Sequence, residues 1–312
     1  MKSVISVIIP VYNGEKTIRE TIESVLNQTF SLIEVLIIND GSTDATLEII
    51  QNISDSRLKL FSYINAGPAT SRNRGLSHAV SEFVAFIDAD DIWTSNKLES
   101  QLKALQANPQ AAVAYSWTDY IDAAGKLLKC GRHTTLSGDV YSRLLLENFL
   151  ENGSNPLIRK ECFTTLGNFN EALTPAEDWD MWLRLASRYE FVVVPEVQIL
   201  YRVSMHSLST NLKRQEAGSL EVIERGFADQ KAESLGHLKK YALSNIYKYL
   251  AFKSLEAPPD KLERWTSVGF LWNCVRYNPA VLKQRKIMLI AVLKIAFPRL
   301  YVRIQPFWKG NN

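Results

Sequence analysis

The residues best suited to chemistry in this 312-residue sequence are acids that directly follow an apolar run. Asp88-Ala89-Asp90-Asp91 comes immediately after the run from Phe83 to Ile87. Hard divalent cations bind oxygen ligands, commonly one or two carboxylates together with substrate phosphates. Because close carboxylates repel each other unless a cation or protons compensate them, Asp88 and Asp90 are candidate metal ligands. The alternative is a solvated turn in which an Asp, such as Asp91, caps the next helix.

A second acidic cluster, Glu177-Asp178-Trp179-Asp180, opens a predicted amphipathic helix. Met181, Trp182 and Leu185 recur at helical spacing and predict the buried face of that helix. Acids in a first turn ordinarily complement the helix dipole. This cluster therefore has both a structural and a catalytic interpretation.

The elements that must position these acids follow an α/β pattern. Over roughly the first hundred residues, short apolar runs alternate with amphipathic stretches, which predicts β-α-β units around a mostly parallel sheet. The predicted strands cover Val4 to Val11, Val35 to Ile38, Leu58 to Ile64 and Phe83 to Ile87. The predicted helices cover Ile18 to Leu26 and Pro68 to Val80. Ligands of such sheets bind outside the carboxyl ends of the strands, where the polar turns after the second and fourth strands fall.

The pattern changes twice along the chain. From about Ala111 it predicts a strand from Ala112 to Trp117, a hairpin around Gly125, a helix after Asp139 and strands at Phe191 to Val194 and Tyr201-Arg202. Beyond Leu212 the sequence is helical in pattern, with breaks at Pro258-Pro259 and Pro279. We predict an α/β domain over residues 1–212, with halves 1–115 and 116–212, and a C-terminal helical region over 213–312.

Composition excludes several classes of protein. With 46% hydrophobic and 22% charged residues the chain is a folded globular protein, and its net charge of +3 gives no sign of a nucleic-acid partner. The three cysteines form no C-x-x-C pair, which indicates a reducing compartment rather than a zinc cluster or a disulfide framework. The first apolar run breaks at Pro10 and is too short for a secretory signal. We expect a cytoplasmic protein.

Five motifs in order give the sequence a family resemblance. They are Ser6-Val7-Ile8-Ile9-Pro10-Val11-Tyr12-Asn13, Asn39-Asp40-Gly41-Ser42-Thr43-Asp44, Gly67-Pro68-Ala69-Thr70-Ser71-Arg72-Asn73-Arg74-Gly75, Asp88-Ala89-Asp90-Asp91 and Glu177-Asp178-Trp179-Asp180. Together they resemble the motif series of the family 2 glycosyltransferases with the GT-A fold, over about two thirds of the chain. The resemblance implies a Rossmann-like nucleotide-sugar half at 1–115 and an acceptor half at 116–212.

The resemblance also implies roles for individual residues. Pro10, Tyr12 and Asn13 would line the nucleoside pocket, where Asp40 would accept a hydrogen bond from the base. For Tyr12 the alternative is a core aromatic.

Three further residues would contact the donor. Arg72 would reach the base or the diphosphate, whereas Arg74 is better interpreted as a surface arginine. Asp88 would touch the ribose or the metal, and Asp90 would ligate Mn²⁺ or Mg²⁺ directly.

The catalytic step implied is transfer of a sugar from a nucleotide diphosphate sugar, with a uridine nucleotide the commonest among relatives, to an acceptor hydroxyl. The metal would stabilise the departing diphosphate, and an acid on a separate segment would act as general base. The family's E-D motif places that role on Asp178, with Glu177 and Asp180 in support. One base and a direct displacement invert the anomeric centre. His206 lies where relatives carry a histidine that helps to bind the metal or diphosphate.

The C-terminal segment 283–309 carries seven basic residues and no acid. An apolar block from Ile287 to Phe297 lies between them and is too short to span a bilayer. Two interpretations stay open: a helix on the anionic inner face of the cell membrane, or a helix packed on the core. Attachment to the membrane would suit a lipid-linked saccharide as acceptor. If the helix packs on the core, a free saccharide would be an equally suitable acceptor.

Two other functions compete with sugar transfer. A nucleotidyltransferase also places acids at the ends of parallel strands, but it usually needs a glycine-rich loop near its first strand, and Pro10-Val11-Tyr12-Asn13-Gly14 offers none. A noncatalytic nucleotide-sugar binding module would keep the pocket without turnover. Asp90 and Asp178 are both present, so the sequence shows no sign of that loss.

Overall fold

The computed structural model of the chain describes residues 3–173, 175–203, 211–256 and 263–297. The strands are β1 (Ile5–Val11), β2 (Ile33–Asn39), β3 (Leu58–Ser62), β4 (Phe83–Phe86), β5 (Ile92–Trp93), β6 (Ala111–Ile121), β7 (Leu127–Cys130), β8 (Leu157–Arg159) and β9 (Glu190–Arg202). The helices of the same part are α1 (Ile18–Leu26), α2 (Thr46–Gln51), α3 (Pro68–His78), α4 (Lys97–Ala107), α5 (Tyr141–Leu146), α6 (Glu161–Leu166) and α7 (Glu177–Ala186).

The described strands form one sheet in the order β3-β2-β1-β4-β8-β6-β9-β5, with β7 paired to β6. β3, β2, β1 and β4 run parallel, and β6 is parallel to β9. β8 lies antiparallel between β4 and β6, and so joins the two parallel groups. The carboxyl ends of β1, β2 and β4 therefore meet at one edge, as the alternating pattern predicts for an α/β fold.

The centre of the parallel half forms because β1 and β2 are largely apolar on both faces. Every residue of β1 and β2 is buried, as expected of strands covered by helices on each side. α1 packs Ile18, Ile22 and Val25 into the core. α3 lies so close to β1 that a side chain at Gly75 would collide with Ile8.

Some predicted bounds differ from the observed ones. β9 is one continuous strand, although the sequence predicted two separate strands there. Pro195 explains the difference: it has no N–H to donate, and the pairing of β9 with β6 shifts its register beside it, from Ser116–Val194 to Trp117–Val197. The predicted helix after Asp139 is α5, and the predicted hairpin at Gly125 joins β6 to β7.

The described residues group into two compact units. One lies within Met1–Leu144 and Asn148–Ser207, and the other within Leu145–Glu147 and Leu208–Asn312. The helices of the second unit are α8 (Leu212–Ala228), α9 (Lys239–Ser254), α10 (Arg264–Tyr277) and α11 (Arg285–Ala296). Ser254 Oγ donates to Ser267 Oγ over 2.7 Å and so fixes α9 against α10. Among the described residues, no helix has both the length and the hydropathy needed to cross a membrane.

Candidate active site

The loop after β1 is attached to the loop after β2. The backbone N–H of Asn13 donates to Ser42 Oγ over 3.0 Å, and Asn13 Oδ1 accepts from the N–H of Thr43 over 2.8 Å. Asn13 has a positive φ of 53°, which an Asn tolerates better than most residues. Pro10 is buried within β1, whereas Tyr12 is 54% exposed. The core-aromatic alternative for Tyr12 is therefore wrong.

Asp40, at the end of β2, anchors the start of α3. Its carboxylate accepts from the backbone N–H groups of Ala66 over 3.0 Å and Gly67 over 2.8 Å, and from Arg74 Nη1 over 2.9 Å. The Arg74 guanidinium also lies 4.4 Å from the centroid of the Tyr63 ring. The interpretation of Arg74 as a surface arginine is therefore wrong, because it pairs with a buried carboxylate on the adjacent strand end.

Arg72 is the link between the two acidic clusters. Its Nη2 donates to Asp88 Oδ1 over 2.7 Å, and its Nη1 donates to Glu177 Oε1 over 2.6 Å. Burial opposes the guanidinium charge, but Asp88, Glu177 and Asp178 outweigh it and raise the pKa of Arg72. The turn after β4 and the start of α7 are thus held together by one buried cation.

The turn after β4 is fixed by a distant loop and by β9. Ser154 Oγ donates to Asp91 Oδ2 over 2.5 Å and accepts from the backbone N–H of Asp88 over 2.9 Å. The backbone N–H of Arg202 donates to Asp91 Oδ1, and its Nε donates to the carbonyl of Asp90. The expectation that Asp91 caps the next helix is wrong, because it is fully buried and is followed by β5.

Asp90 is the acid of this turn that lacks a side-chain hydrogen-bond partner within the described part of the chain. Burial, together with repulsion from Asp88, raises the pKa of Asp90 to about 6, and the field of Arg202 opposes the rise only in part. A carboxylate in this position gains from a neighbouring cation, since the cation replaces the missing compensation of its charge.

α7 begins in an unusual backbone conformation. Ala176, the residue before it, has φ 89° and ψ 13°, a left-handed conformation that is strained for a non-glycine residue. Trp179 Nε1 donates to the carbonyl of Leu144 over 2.9 Å, and Arg184 Nε donates to Asp180 Oδ2 over 2.9 Å. Trp182 and Met181 are buried, as the spacing predicted. These contacts hold the first turn of the helix in place.

The pKa of Asp178 depends on charges in both acidic clusters. Burial and repulsion from Glu177 raise its pKa to about 7, Arg72 opposes the rise, and Asp88 adds to it. Its Oδ1 accepts a hydrogen bond from the backbone N–H of Trp179 over 2.7 Å. A carboxylate with a pKa near neutrality is well suited to take up a proton from a hydroxyl group.

The loop from Asn152 to Asn155 contacts the acidic clusters, and no residue of it was a predicted site residue. A Cβ at Gly153 would lie 3.0 Å from Arg72 Nη2, so a larger residue there would crowd the guanidinium. The side chains of Asn152, Ser154 and Asn155 are all buried. The available signal was a polar run, Asn-Gly-Ser-Asn, between Leu150 and Pro156. His206 lies outside the described residues.

The donor set fits a hard cation. Asp88 and Asp90 supply carboxylate oxygens, and such an ion commonly takes one or two carboxylates and completes its shell with phosphate and water. Among the described residues no group of three or more His, Cys, Asp or Glu could hold a metal by itself. Two carboxylates suit a cation that binds together with a phosphate ligand.

Comparison with known proteins identifies the family of the chain. A family model described as "Glycosyltransferase like family 2" matches residues 6–254. The chain belongs to this family. Its mixed α/β sheet has the GT-A fold.

Individual relatives extend the comparison. An *Escherichia coli* UDP-Glc:alpha-D-GlcNAc-diphosphoundecaprenol beta-1,3-glucosyltransferase is 33% identical over 68% of this chain and 83% of its own. An uncharacterized glycosyltransferase of *Rickettsia bellii* is 38% identical over 59% of this chain but 26% of its own length. The chain thus spans about a quarter of that relative.

Solved structures show the same fold. *S. aureus* TarS 1–349 in complex with UDP-GlcNAc aligns with a TM-score of 0.60 at 18% identity, over 91% of this chain and 92% of that one. A complex of the same protein with UDP aligns with a TM-score of 0.56.

Proposed function

We propose that this glycosyltransferase moves a sugar from a UDP-sugar to a hydroxyl group of a lipid-linked saccharide, with inversion at the anomeric carbon and Asp178 as the general base. One observation carries the proposal. Of the six acids in the two clusters, four have side-chain partners: Asp88, Asp91, Glu177 and Asp180. Asp90 and Asp178 have none in the described part of the chain, and so they are available to ligands.

Asp178 performs the proton transfer. Its carboxylate accepts the proton of the acceptor hydroxyl as the acceptor oxygen bonds to the anomeric carbon. The bond from that carbon to the diphosphate breaks in the same step, and the electron pair leaves with UDP. A single displacement of this kind inverts the anomeric centre, and the pKa of Asp178, raised to about 7, suits a base that operates near neutral pH.

Asp88 and Asp90 would hold Mn²⁺ or Mg²⁺, with His206 as a further ligand. The bound cation would neutralise charge that develops on the departing diphosphate. Arg72 holds Asp88 in place from the other side, and Ser154 holds the backbone of the turn. Asp90 then presents an uncommitted carboxylate to the cation.

The choice of donor and acceptor rests on relatives. The *E. coli* relative uses UDP-Glc and acts on a diphosphoundecaprenol-linked sugar, and the TarS complexes contain UDP or UDP-GlcNAc. In this chain the nucleoside would contact Tyr12 and Asn13. Arg72 and Asp40 would line the pocket behind them. We further propose that the protein works at the inner face of the cell membrane, which it contacts through residues 283–309.

A donor screen tests the proposal. The protein is incubated with UDP-, GDP-, ADP- and dTDP-sugars, with Mn²⁺ or with a chelator, and with an undecaprenyl-diphosphate-linked sugar as acceptor. We expect release of UDP and a product of inverted configuration, both dependent on the cation. Diphosphate release from a nucleoside triphosphate would instead indicate a nucleotidyltransferase, and tight binding without turnover would indicate a noncatalytic module.

A further inference from the structure

Helix α10 leaves large apolar side chains exposed along one side. Trp265, Val268 and Trp272 are 86%, 38% and 67% exposed. Their i, i+3, i+7 spacing places them on one face of the helix. The opposite face contains the buried Ser267 and Cys274, which pack toward α9. The exposed residues therefore form a continuous stripe, which we call the tryptophan stripe, rather than isolated side chains.

Helix α11 repeats this arrangement. Leu289 and Val292 are 52% and 51% exposed, and Phe297, directly after the helix, is 59% exposed. Leu289 and Val292 are three residues apart and so share a face. Soluble proteins commonly expose single apolar residues. Rows of exposed apolar residues on neighbouring helices instead indicate a surface that binds another molecule or a membrane.

The charge of this region differs from that of the rest of the chain. The stretch from Arg264 to Asn312 contains nine Lys or Arg residues and no Asp or Glu, whereas residues 1–263 contain 27 basic and 33 acidic residues. Arg264 and Arg276, at the two ends of α10, are both exposed. An excess of positive charge of this kind attracts an anionic partner and repels a second copy of the chain.

We propose that the tryptophan stripe of α10 docks on the surface of an anionic lipid bilayer. Tryptophan favours the boundary between headgroups and acyl chains, because its ring is largely apolar and its N–H remains near water. Arg264 and Arg276 contact lipid phosphates on either side of the stripe, which is the pattern of a helix that lies in the interface. This docking surface rests on the proposed function, in which the acceptor is lipid-linked. The stripe holds the enzyme at the membrane, where such an acceptor is found.

Vesicle flotation of the full chain tests the proposal. Trp265→Ser combined with Trp272→Ser should weaken binding to mixed phosphatidylglycerol and phosphatidylcholine vesicles by roughly tenfold per tryptophan. A matched control combines Val80→Ser with Leu128→Ser, since these residues are 61% and 52% exposed but lie in the first unit. The control should bind as the parent does. Equal binding of the tryptophan variant and the parent would overturn the proposal.

The charges give a second test. Arg264→Gln and Arg276→Gln should each reduce binding to the mixed vesicles by about fivefold, an effect that salt screens, and neither should change the weak binding to phosphatidylcholine alone. Brominated lipids should quench the tryptophan emission of the parent more strongly than that of the double tryptophan variant, which retains Trp308 within the segment 283–309. Equal quenching in the two proteins would place the tryptophan contact outside the stripe and overturn the proposal.

Two measurements separate this inference from the proposed function. Release of UDP from a UDP-sugar without vesicles should be the same in the parent and the double tryptophan variant, since the variant leaves the acidic clusters unchanged. If the parent binds vesicles but releases no UDP with any donor, the proposed reaction fails and the docking surface stands. If sedimentation shows a dimer that the double variant loses, the stripe is a contact between copies and the docking proposal fails.

Discussion

The two acidic clusters both contain several acids close together, but different partners fix those acids in place. In the turn after β4, Asp91 and the backbone of Asp88 are fixed by Ser154, which comes from a loop about sixty residues away in sequence. At the start of α7, Glu177 is fixed by Arg72 and Asp180 by Arg184 within its own helix. In the first cluster a hydroxyl fixes Asp91 and the shared Arg72 fixes Asp88, whereas in the second cluster both fixed acids are paired with arginines. In each cluster one acid, Asp90 or Asp178, has no side-chain partner among the described residues. The comparison indicates that the other acids mainly stabilise the local structure.

The largest expected effect is on catalysis by the uncommitted acid of the second cluster. Asp178→Asn should lower kcat by about 100- to 10,000-fold, the usual contribution of a general base, while UDP binding stays near that of the parent. Single-turnover kinetics and calorimetric titration with UDP measure the two. Asp180→Asn serves as the control, because its loss of the Arg184 pairing should lower stability more than rate. Nearly normal turnover of the Asp178→Asn variant would show that Asp178, like Asp180, is not needed as a general base.

The shared cation of the two clusters gives the next largest effect. Arg72→Gln leaves the buried carboxylate of Glu177 uncompensated, and breaking a buried ion pair in this way costs about 3–5 kcal/mol. Urea unfolding should report that loss in the free energy of unfolding. Arg184→Gln, whose guanidinium is more exposed, should cost less. Equal losses in the two variants would mean that the clusters are not joined through Arg72.

The pH dependence of the reaction sharpens the role of Asp178. The base must be ionised, and its pKa lies at about 7, so kcat/KM should fall about tenfold for each pH unit below that value and level off above it. Steady-state rates across the neutral range at fixed Mn²⁺ measure the profile. A rate that is constant from mildly acidic to mildly alkaline pH would exclude Asp178 as the base.

The hydroxyl that secures the first cluster should have a smaller effect. Ser154→Ala removes the donor to Asp91 and the acceptor for the N–H of Asp88, which should cost about 1–2 kcal/mol of stability. The variant should also raise the KM for the donor more than it lowers kcat, because it loosens the turn rather than the base. Ser100→Ala, at a half-buried position of α4 away from the acidic clusters, is the control. A variant at Ser154 as stable as the parent would contradict the assignment.

The smallest expected effect is a gain in stability. Because the pKa of Asp90 is raised, ionisation of this acid destabilises the folded protein. The loss of stability grows as pH rises above the ordinary Asp pKa of 3.8, and it is complete above about pH 6. Asp90→Asn should therefore stabilise the protein by about 1 kcal/mol at pH near 8 in a chelator, and by less at pH near 5. Thermal unfolding at both pH values measures the difference. Destabilisation at alkaline pH would show that Asp90 is structural like Asp91.

Local patterns predicted much of the fold. Apolar runs gave β1 and β2, and helical spacing gave α1 and the buried face of α7, because these features depend on residues close in sequence. β5 was missed, since two residues carry no period and the strand exists by pairing with β9. The continuous β9 was divided in two because the shift of register at Pro195 is visible only against β6.

The sequence by itself determined the family, the fold class and the identity of the acids at the strand end and the helix start. Only the tertiary structure decided which acids are bound: that Arg72 spans Asp88 and Glu177, that Ser154 holds Asp91, and that Arg74 holds Asp40. The reason is physical. Residue type fixes what a side chain can donate, accept or ionise, but burial and the nearest opposite charge fix whether it stays available, and both depend on segments far apart in the chain.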